Sequence, residues 1–383
     1  MSWTIKTLGD VVDLKRGFDL PASQRVGGDF PIYSSSGLTG THNDYAVKGP
    51  CVITGRYGTI GKVFYSSGDC WPLNTALYSC DFKGNNPRFI FYLLQIVPWR
   101  EYATASAVPG INRNHVNTHE MAIPDSETQE RIANLLDSFT DKIALNNRIN
   151  GYLSDCLRNM AKNLYMGYER DKNELPHNWR LVKIGEIADL VCRGITPRYG
   201  KTSDEIVLGQ TCIRNNLVIV ENGRPHAPKK ITEKWLKKND LLINSTGVGS
   251  LGRTAQVWFN PDKLVVDSHI TIVRAKNPSH ALYLGFWAFG HEKYIESLHT
   301  GSTGQTELPR DRVKAIELVL PSEQELEEFN SVAKPSVELI IANQEENRRL
   351  TELRDGLLPR LMSGEIDVSK VDLTQLNSHL SGC

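Results

Sequence analysis

The sequence predicts an α+β protein built twice over. Two globular domains stand in tandem, each followed by a long α-helix, and the two helices are expected to pair as an antiparallel coiled coil about a pseudo-twofold axis. Three observations carry this expectation: an internal repeat, two amphipathic stretches of about forty residues, and short β-branched runs confined to the segments between them.

The repeat opens with Trp3, Leu8, Gly9, Asp13 and Leu14, which align with Trp179, Ile184, Gly185, Asp189 and Leu190; Arg16-Gly17 and Arg193-Gly194 follow. Gly58 to Lys62 aligns with Gly249 to Arg253, and Val116 to Pro124 aligns with Val313 to Pro321. Matched ends around diverging middles describe two copies of one domain doing different versions of one job.

Beyond each closing proline comes a helix. Residues 127–166 place Ile132, Leu136, Phe139, Ile143, Ile149, Leu153, Cys156, Met160 and Leu164 mostly at three- and four-residue spacings, with Gly167 to end them. The partner, 323–362, carries Leu326, Phe329, Ile340, Leu350, Leu353, Leu357 and Leu361, with Gly364 beyond. At ~1.5 Å per residue each is a rod of roughly 60 Å. Two copies of one stripe can bury each other; the alternative is that each helix packs on its own domain. Pro335 predicts a kink, or a short helix before the long one. Asn146, Asn147, Asn343 and Asn347 fall where polar residues set register. The domain reading is therefore 1–124, a helix at 125–166, a linker at 167–178, a second domain at 179–321, a helix at 322–364 and a tail at 365–383.

Within the globular parts, Pro50–Thr54, Lys62–Tyr65, Asp240–Asn244, Leu264–Asp267 and Ile270–Val273 read as strands, and 87–97 and 280–297 as helices. Gly247-Val-Gly-Ser-Leu-Gly-Arg-Thr254 imitates a phosphate-binding loop. It runs on into the strand-like Thr254-Ala-Gln-Val-Trp-Phe, whereas such a loop must open a helix. Together with Gly55 to Val63 it is read as a hairpin tip whose glycines supply positive φ.

Composition excludes other classes. The chain has 383 residues, 40% hydrophobic and 23% charged, which suits a folded protein. No run approaches ~18 apolar residues and no export segment opens MSWTIKTLGD, so no membrane association and a cytoplasmic location are expected. Seven scattered cysteines without C-x-x-C indicate neither disulfides nor a metal site. No H-E-x-x-H, G-x-S-x-G or amino-methyltransferase run occurs, Asn86-Pro-Arg-Phe89 being a poor imitation of the last, and a noncatalytic binder is expected. The zero net charge hides a segregation: +2 in 1–124, −2 in 125–176, +6 in 177–321 and −6 in 322–383. Positive globular parts suit a polyanion, and negative arms suit protein partners or solvent.

The closing run Glu346-Asn-Arg-Arg-Leu-Thr-Glu-Leu-Arg-Asp-Gly-Leu-Leu-Pro-Arg-Leu-Met-Ser-Gly364-Glu-Ile resembles the end of the specificity subunits of type I restriction-modification enzymes. The Trp-x5-Gly openings at Trp3 and Trp179 and the Ile/Leu-Pro before each long helix resemble that family too. The resemblance implies a noncatalytic reader of double-stranded DNA, with two target-recognition domains for the halves of a split site and helices that fix the unread gap. Half-sites one turn apart lie ~34 Å from each other, within the reach of such rods. It also implies two modification subunits that carry S-adenosylmethionine and methylate adenine, two restriction subunits that use ATP and Mg, and no cofactor on this chain. A scaffold with two β-rich protein- or glycan-binding domains is the rival reading.

Base-reading residues are expected among the donors and acceptors on loops. In the first domain these are Arg56, Tyr57, Asn74, Asn112, Arg113, Asn114 and His115. In the second they are Arg214, Asn215, Asn216, Ser245, Arg253, His269, Thr303, Gln305, Thr306 and Arg310. Lys229, Lys230, Lys237 and Lys238 are expected to face phosphates or solvent. For each, the plain alternative is a loop residue satisfied by backbone or water.

Overall fold

The computed structural model describes residues 2–104, 109–166, 168, 175–200, 202–227, 233–301, 306–372 and 374–375. The chain forms two compact units, Met1–Leu145 with Glu346–Cys383, and Asn146–Glu345. The long helices Ser126–Tyr165 and Glu323–Met362, of 40 residues each, thus give one half to each unit.

In the first unit Trp3–Thr7 pairs antiparallel with Glu120–Pro124, tying the start of the domain to the strand that enters the first long helix. A four-stranded antiparallel sheet has the order Asp13–Arg16, Ala76–Asp81, Cys51–Gly55, Val63–Ser66. A smaller sheet joins Gly37–His42, Phe30–Ser34 and Trp71–Pro72, the last pair parallel. Asn86-Pro-Arg-Phe89 is a helix start: the Asn86 side chain accepts from the backbone N–H of Arg88 and Phe89, and Pro87 takes the first turn, where no N–H is needed. That helix, Pro87–Ile96, buries Phe89, Ile90, Leu93 and Leu94 against Leu14, Val52 and Leu77 of the sheet.

The second unit repeats the plan. Arg180–Lys183 pairs with Glu317–Leu320, and the four-stranded sheet has the order Ala188–Arg193, Ile270–Ala275, Leu241–Asn244, Thr254–Gln256. Ile206–Leu208 pairs parallel with Leu264–Val266. Asn277 caps Pro278–Gly290 as Asn86 caps its counterpart. The pattern at 280–297 is two helices, Pro278–Gly290 and Glu292–Ser297, because His291 leaves helical geometry at φ −118°, ψ 17°.

Within each unit the halves of the long helices pack antiparallel. In the first, Lys142 meets Glu346 at 3.6 Å at one end; at the other, Gly364 lies against Trp3, beside Pro124. Ile132, Leu136 and Phe139 share this core with Leu350, Leu358 and Leu361. In the second, Asn343 Nδ2 donates to Asn150 Oδ1 at 2.8 Å, and Leu157, Ala161 and Tyr165 share a core with Leu326, Phe329 and Ala333. Asn146 and Asn343 are buried as register residues should be, while Asn147 is exposed.

Two stripe assignments need correction. Cys156 and Leu353 are exposed, and Leu157 rather than Cys156 turns inward. A 3.6-residue helix drifts against a strict seven-residue repeat, so the inward position passes to a neighbour after a few turns. Pro335 neither breaks nor precedes the second helix, which is continuous from Glu323 to Met362. Pro335 and Ser331 both lie on the exposed face, so water can serve the Ser331 carbonyl that loses its donor.

Candidate nucleic-acid interface

In the first unit, Thr54 opposite Val63 leaves residues 55–62 as the connection between two strands. Gly58 and Gly61 take φ +73° and +82° there, and a Cβ on Gly55 would meet the Thr59 carbonyl oxygen at 1.8 Å. The tip is clamped on both sides. Arg56 N–H donates to Thr75 O at 2.9 Å, Arg56 O accepts from Ile111 N–H at 3.0 Å, and Tyr57 bridges to Gly110. The Arg56 guanidinium lies 4.6 Å from the centroid of the Tyr57 ring, a cation–π contact.

These segments wall a cleft of about 480 Å3 lined by Arg16, Arg56, Tyr57, Asn112, Arg113 and Asn114 among others. More than fifty residues of sequence separate its sides, yet Arg56, Tyr57, Asn112, Arg113 and Asn114 all come together. His115 is exposed on the same short helix; Asn74 lies apart, its amide donating to Asp19. Part of this chemistry is structural. Asn112 Oδ1 caps Arg113–Val116 by accepting from Asn114 N–H at 3.0 Å, and Arg113 Nη1 donates to Leu14 O at 3.0 Å. Arg16, marked in the sequence only as part of the repeat, is the residue that reading missed; it also reaches Asp19 at 3.8 Å. Among the described residues, three guanidiniums and no carboxylate line the cleft, an arrangement that attracts phosphate or the O6/N7 edge of guanine.

The second unit builds the same frame with other side chains. Leu308 N–H donates to Ser245 O at 2.8 Å, Thr246 bridges to Glu307, and Thr300 N–H donates to Glu307 O at 2.7 Å, as Thr104 N–H donates to Gly110 O at 2.9 Å. Ser245, Thr246 and Glu307 therefore occupy the places of Arg56, Tyr57 and Gly110, and Arg193 and Arg310 those of Arg16 and Arg113. The Thr246 hydroxyl meets His269 Nδ1 at 2.8 Å and accepts from Gln210 Nε2 at 2.8 Å. His269 N–H donates to Asp267 Oδ1 at 2.9 Å, and burial pushes the Asp267 carboxyl up. Burial also lowers Arg193, which stays cationic at any physiological pH.

Several sequence-chosen residues are placed otherwise. Ser245 is fully buried, its hydroxyl on Thr271 Oγ1 at 2.7 Å, so its side chain cannot reach DNA in this conformation. Asn216 is buried too: it donates to Glu292 Oε1 at 2.8 Å and accepts from Arg158 at 2.5 Å. Asn215 and Asn216, at φ +51° and +61°, form the two-residue turn between Ile213–Arg214 and Leu217–Val218. Both central residues of that turn need positive φ, which asparagine tolerates, so their amides mark a turn. Arg214 is exposed beside it; Arg253 Nη2 donates to Gly249 O at 2.6 Å within its own loop. Thr306 is half-buried next to Glu307, and Arg310 opens a short helix with Asp311 at 3.7 Å. Lys237 and Lys238 are exposed, the latter 3.9 Å from Glu338. Thr303, Gln305, Lys229 and Lys230 lie outside the described residues.

The Gly247–Arg253 loop joins two antiparallel strands and leads into strand Thr254–Gln256, with Gly247, Gly249 and Gly252 at φ +96°, +72° and +83°. No helix opens after it to face a phosphate. Among the described residues, no group of three or more His, Cys, Asp and Glu could hold a metal ion, and no helix is long and apolar enough to cross a membrane.

The Gly110–Tyr57 approach gives a direct test of the first cleft. A Cβ on Gly110 would stand 2.2 Å from Tyr57 Cε1, so Gly110→Ala must expel the ring. It is expected to cost about tenfold in DNA affinity, the scale of one good base contact. Gly68→Ala, with nothing within 4 Å of the added Cβ, is expected to change nothing in the same titration.

A hairpin frame built twice with different side chains, its first copy walling a cationic cleft, is a form suited to reading nucleic acid. A family model described as the type I restriction modification DNA specificity domain matches residues 1–153 and 176–341, and the chain belongs to that family. Its members serve type I restriction-modification systems as noncatalytic DNA-recognition subunits, and target recognition is the function of this chain. The MjaIX specificity subunit of Methanocaldococcus jannaschii is 24% identical over 313 residues, covering 74% of this chain and 70% of that one. The HindI specificity subunit of Haemophilus influenzae is 23% identical over 357 residues, covering 73% and 77%. Among solved structures, the S subunit of a type I system from M. genitalium superposes with a TM-score of 0.63 at 17% identity, covering 94% of this chain and 96% of that one; the likeness is one of fold.

Proposed function

We propose that this chain reads a split, asymmetric DNA target, with residues 1–124 reading one half and 179–321 the other. The long helices at 125–166 and 322–364 set the unread gap. Bound to two modification subunits, it directs adenine methylation; with two restriction subunits added, it directs cleavage. S-adenosylmethionine, ATP and Mg would sit on those partners and not here. Methylation requires the adenine to be flipped into the modification subunit's pocket, so this chain's share of the work is to hold the duplex in register.

The observation that supports this reading most is the pair of frames. Corresponding backbone bonds hold Arg56 and Ser245, Tyr57 and Thr246, Gly110 and Glu307 at matched places. One scaffold with two sets of side chains is what reading two different half-sites requires.

The test is genome-wide adenine methylation in cells that express the chain with its modification subunit, against cells lacking only this chain. A two-part motif that appears only with the chain is the expected result. The purified complex is expected to lose DNA affinity steeply as salt rises, since basic side chains release counterions from phosphates. Salt-insensitive binding with no motif would favour the scaffold reading instead.

A further inference from the structure

We infer that Glu307 selects a cytosine in the half-site read by the second domain, its carboxylate accepting a hydrogen bond from the exocyclic N4 amino group. This rests on the reading of the chain as a two-domain DNA reader and names the chemistry of one position in it.

Glu307 stands where the first unit has Gly110, on the rim of the cleft frame, and its backbone is fixed from two sides by the bridges to Thr246 and Thr300. Its side chain is 61% exposed, so it faces outward rather than into the core. The guanidinium that meets it does not move freely. Arg193, 20% exposed, donates from Nη1 to Ser268 O at 3.0 Å and from Nη2 to Leu308 O at 2.9 Å, and the same Nη2 reaches Glu307 Oε1 at 2.6 Å. Two backbone carbonyls thus aim an arginine that in turn aims a carboxylate.

A carboxylate on a DNA-facing rim is repelled by phosphates, and Arg193 compensates that charge locally. What the carboxylate offers is acceptance alone, at about four lone-pair sites, of which the arginine takes one. The major-groove donors are N4 of cytosine and N6 of adenine. The adenine donor stands beside the N7 acceptor, which repels a carboxylate, and acidic side chains are the usual acceptors for cytosine N4; the O6, N7 and O4 edges of guanine and thymine are acceptors and would repel it. The neighbours agree with a base contact more than a phosphate contact. Thr246, Gln210 and His269 form one hydrogen-bonded group beside it, Thr246 standing where the first unit has Tyr57.

The experiment uses the chain complexed with its modification subunits. The methylated motif of the unaltered complex is mapped first, then those of Glu307→Ala and the isosteric Glu307→Gln. Both variants are expected to relax one position, in one half-site, that the unaltered complex holds as C·G. The other half-site and the gap should not change. On a duplex carrying pyrimidin-2-one in place of that cytosine, which lacks only the amino group, the unaltered complex should lose about tenfold in affinity. The Glu307→Ala complex should bind both duplexes alike. An unchanged motif in both variants, relaxation at an A·T position, or an equal loss on amino deletion in both complexes would overturn the inference. Absence of any motif from the unaltered complex would instead overturn the two-domain reading, and this inference with it.

Discussion

Asp240→Ala is expected to destabilise the second unit by about 3–5 kcal/mol, read as a fall in the urea midpoint at constant slope. Asp240 has no exposed surface, and both its oxygens engage Arg274, from Nε and from Nη2, at 2.7 Å each. It also accepts from the backbone N–H of Lys237 at 2.8 Å, closing the loop before strand Leu241–Asn244. The Asp240 hydrogen bond raises Arg274, whose side chain is only 12% exposed. Removing the carboxylate therefore leaves a buried cation with two carbonyl partners, Glu233 and Trp235, and without the carboxylate that binds it. The size of the effect comes from that orphaned charge more than from the pair itself. Asp240→Ala with Arg274→Met should accordingly recover most of the loss; a double variant as unstable as the single one would contradict this account.

Phe329→Ala is expected to cost about 3–5 kcal/mol in the same measurement. Phe329 is 2% exposed in the seam between the second long helix and its domain, with its ring 6.3 Å from Tyr283 and 6.1 Å from Phe286 in edge geometry. Truncation would lose both ring contacts and leave a cavity in the core that Phe329 shares with Leu326 and Ala333. Val332, one turn on and 40% exposed, supplies the control: Val332→Ala should stay within about 0.5 kcal/mol. Equal effects at the two positions would mean that this face of the helix is not the packed one.

What could be read from the sequence were features written in local chemistry. Pro50–Thr54 and Ile270–Val273 have no helical periodicity and became central strands; Ser126–Tyr165 has little else and became a helix. The repeat was legible because the Trp3 and Trp179 openings and the proline exits pair with each other, each opening strand lying on its exit strand. The candidate site was legible only in part. Arg56, Tyr57 and Asn112 to Asn114 were found because donors cluster on loops, but Asn215 and Asn216 carry the same amides and use them for a turn. Ser245 matches Arg56 through backbone hydrogen bonds that no alignment of side chains reveals, and its hydroxyl faces inward. Glu307 was not legible because the residues that mark a polyanion site are basic or polar, and an acid carries no such signal. Its role depends on Arg193, more than a hundred positions away in sequence and 2.6 Å away in space.

The division of the two long helices has a consequence for the order of folding. The second unit is one uninterrupted stretch, Asn146–Glu345, whereas the first is assembled from Met1–Leu145 and Glu346–Cys383. Topologically, the second unit is an insertion within the first. During synthesis Ile132, Leu136 and Phe139 emerge long before Leu350, Leu358 and Leu361, the residues that cover them. The inserted unit can close on itself while its host still exposes an apolar stripe. Contacts of such long sequence separation are the slow kind to form. The chain is thus unfinished as a folded object until residues 346–372 arrive, which makes that exposed stripe the part of the nascent protein most in need of a chaperone or an early partner.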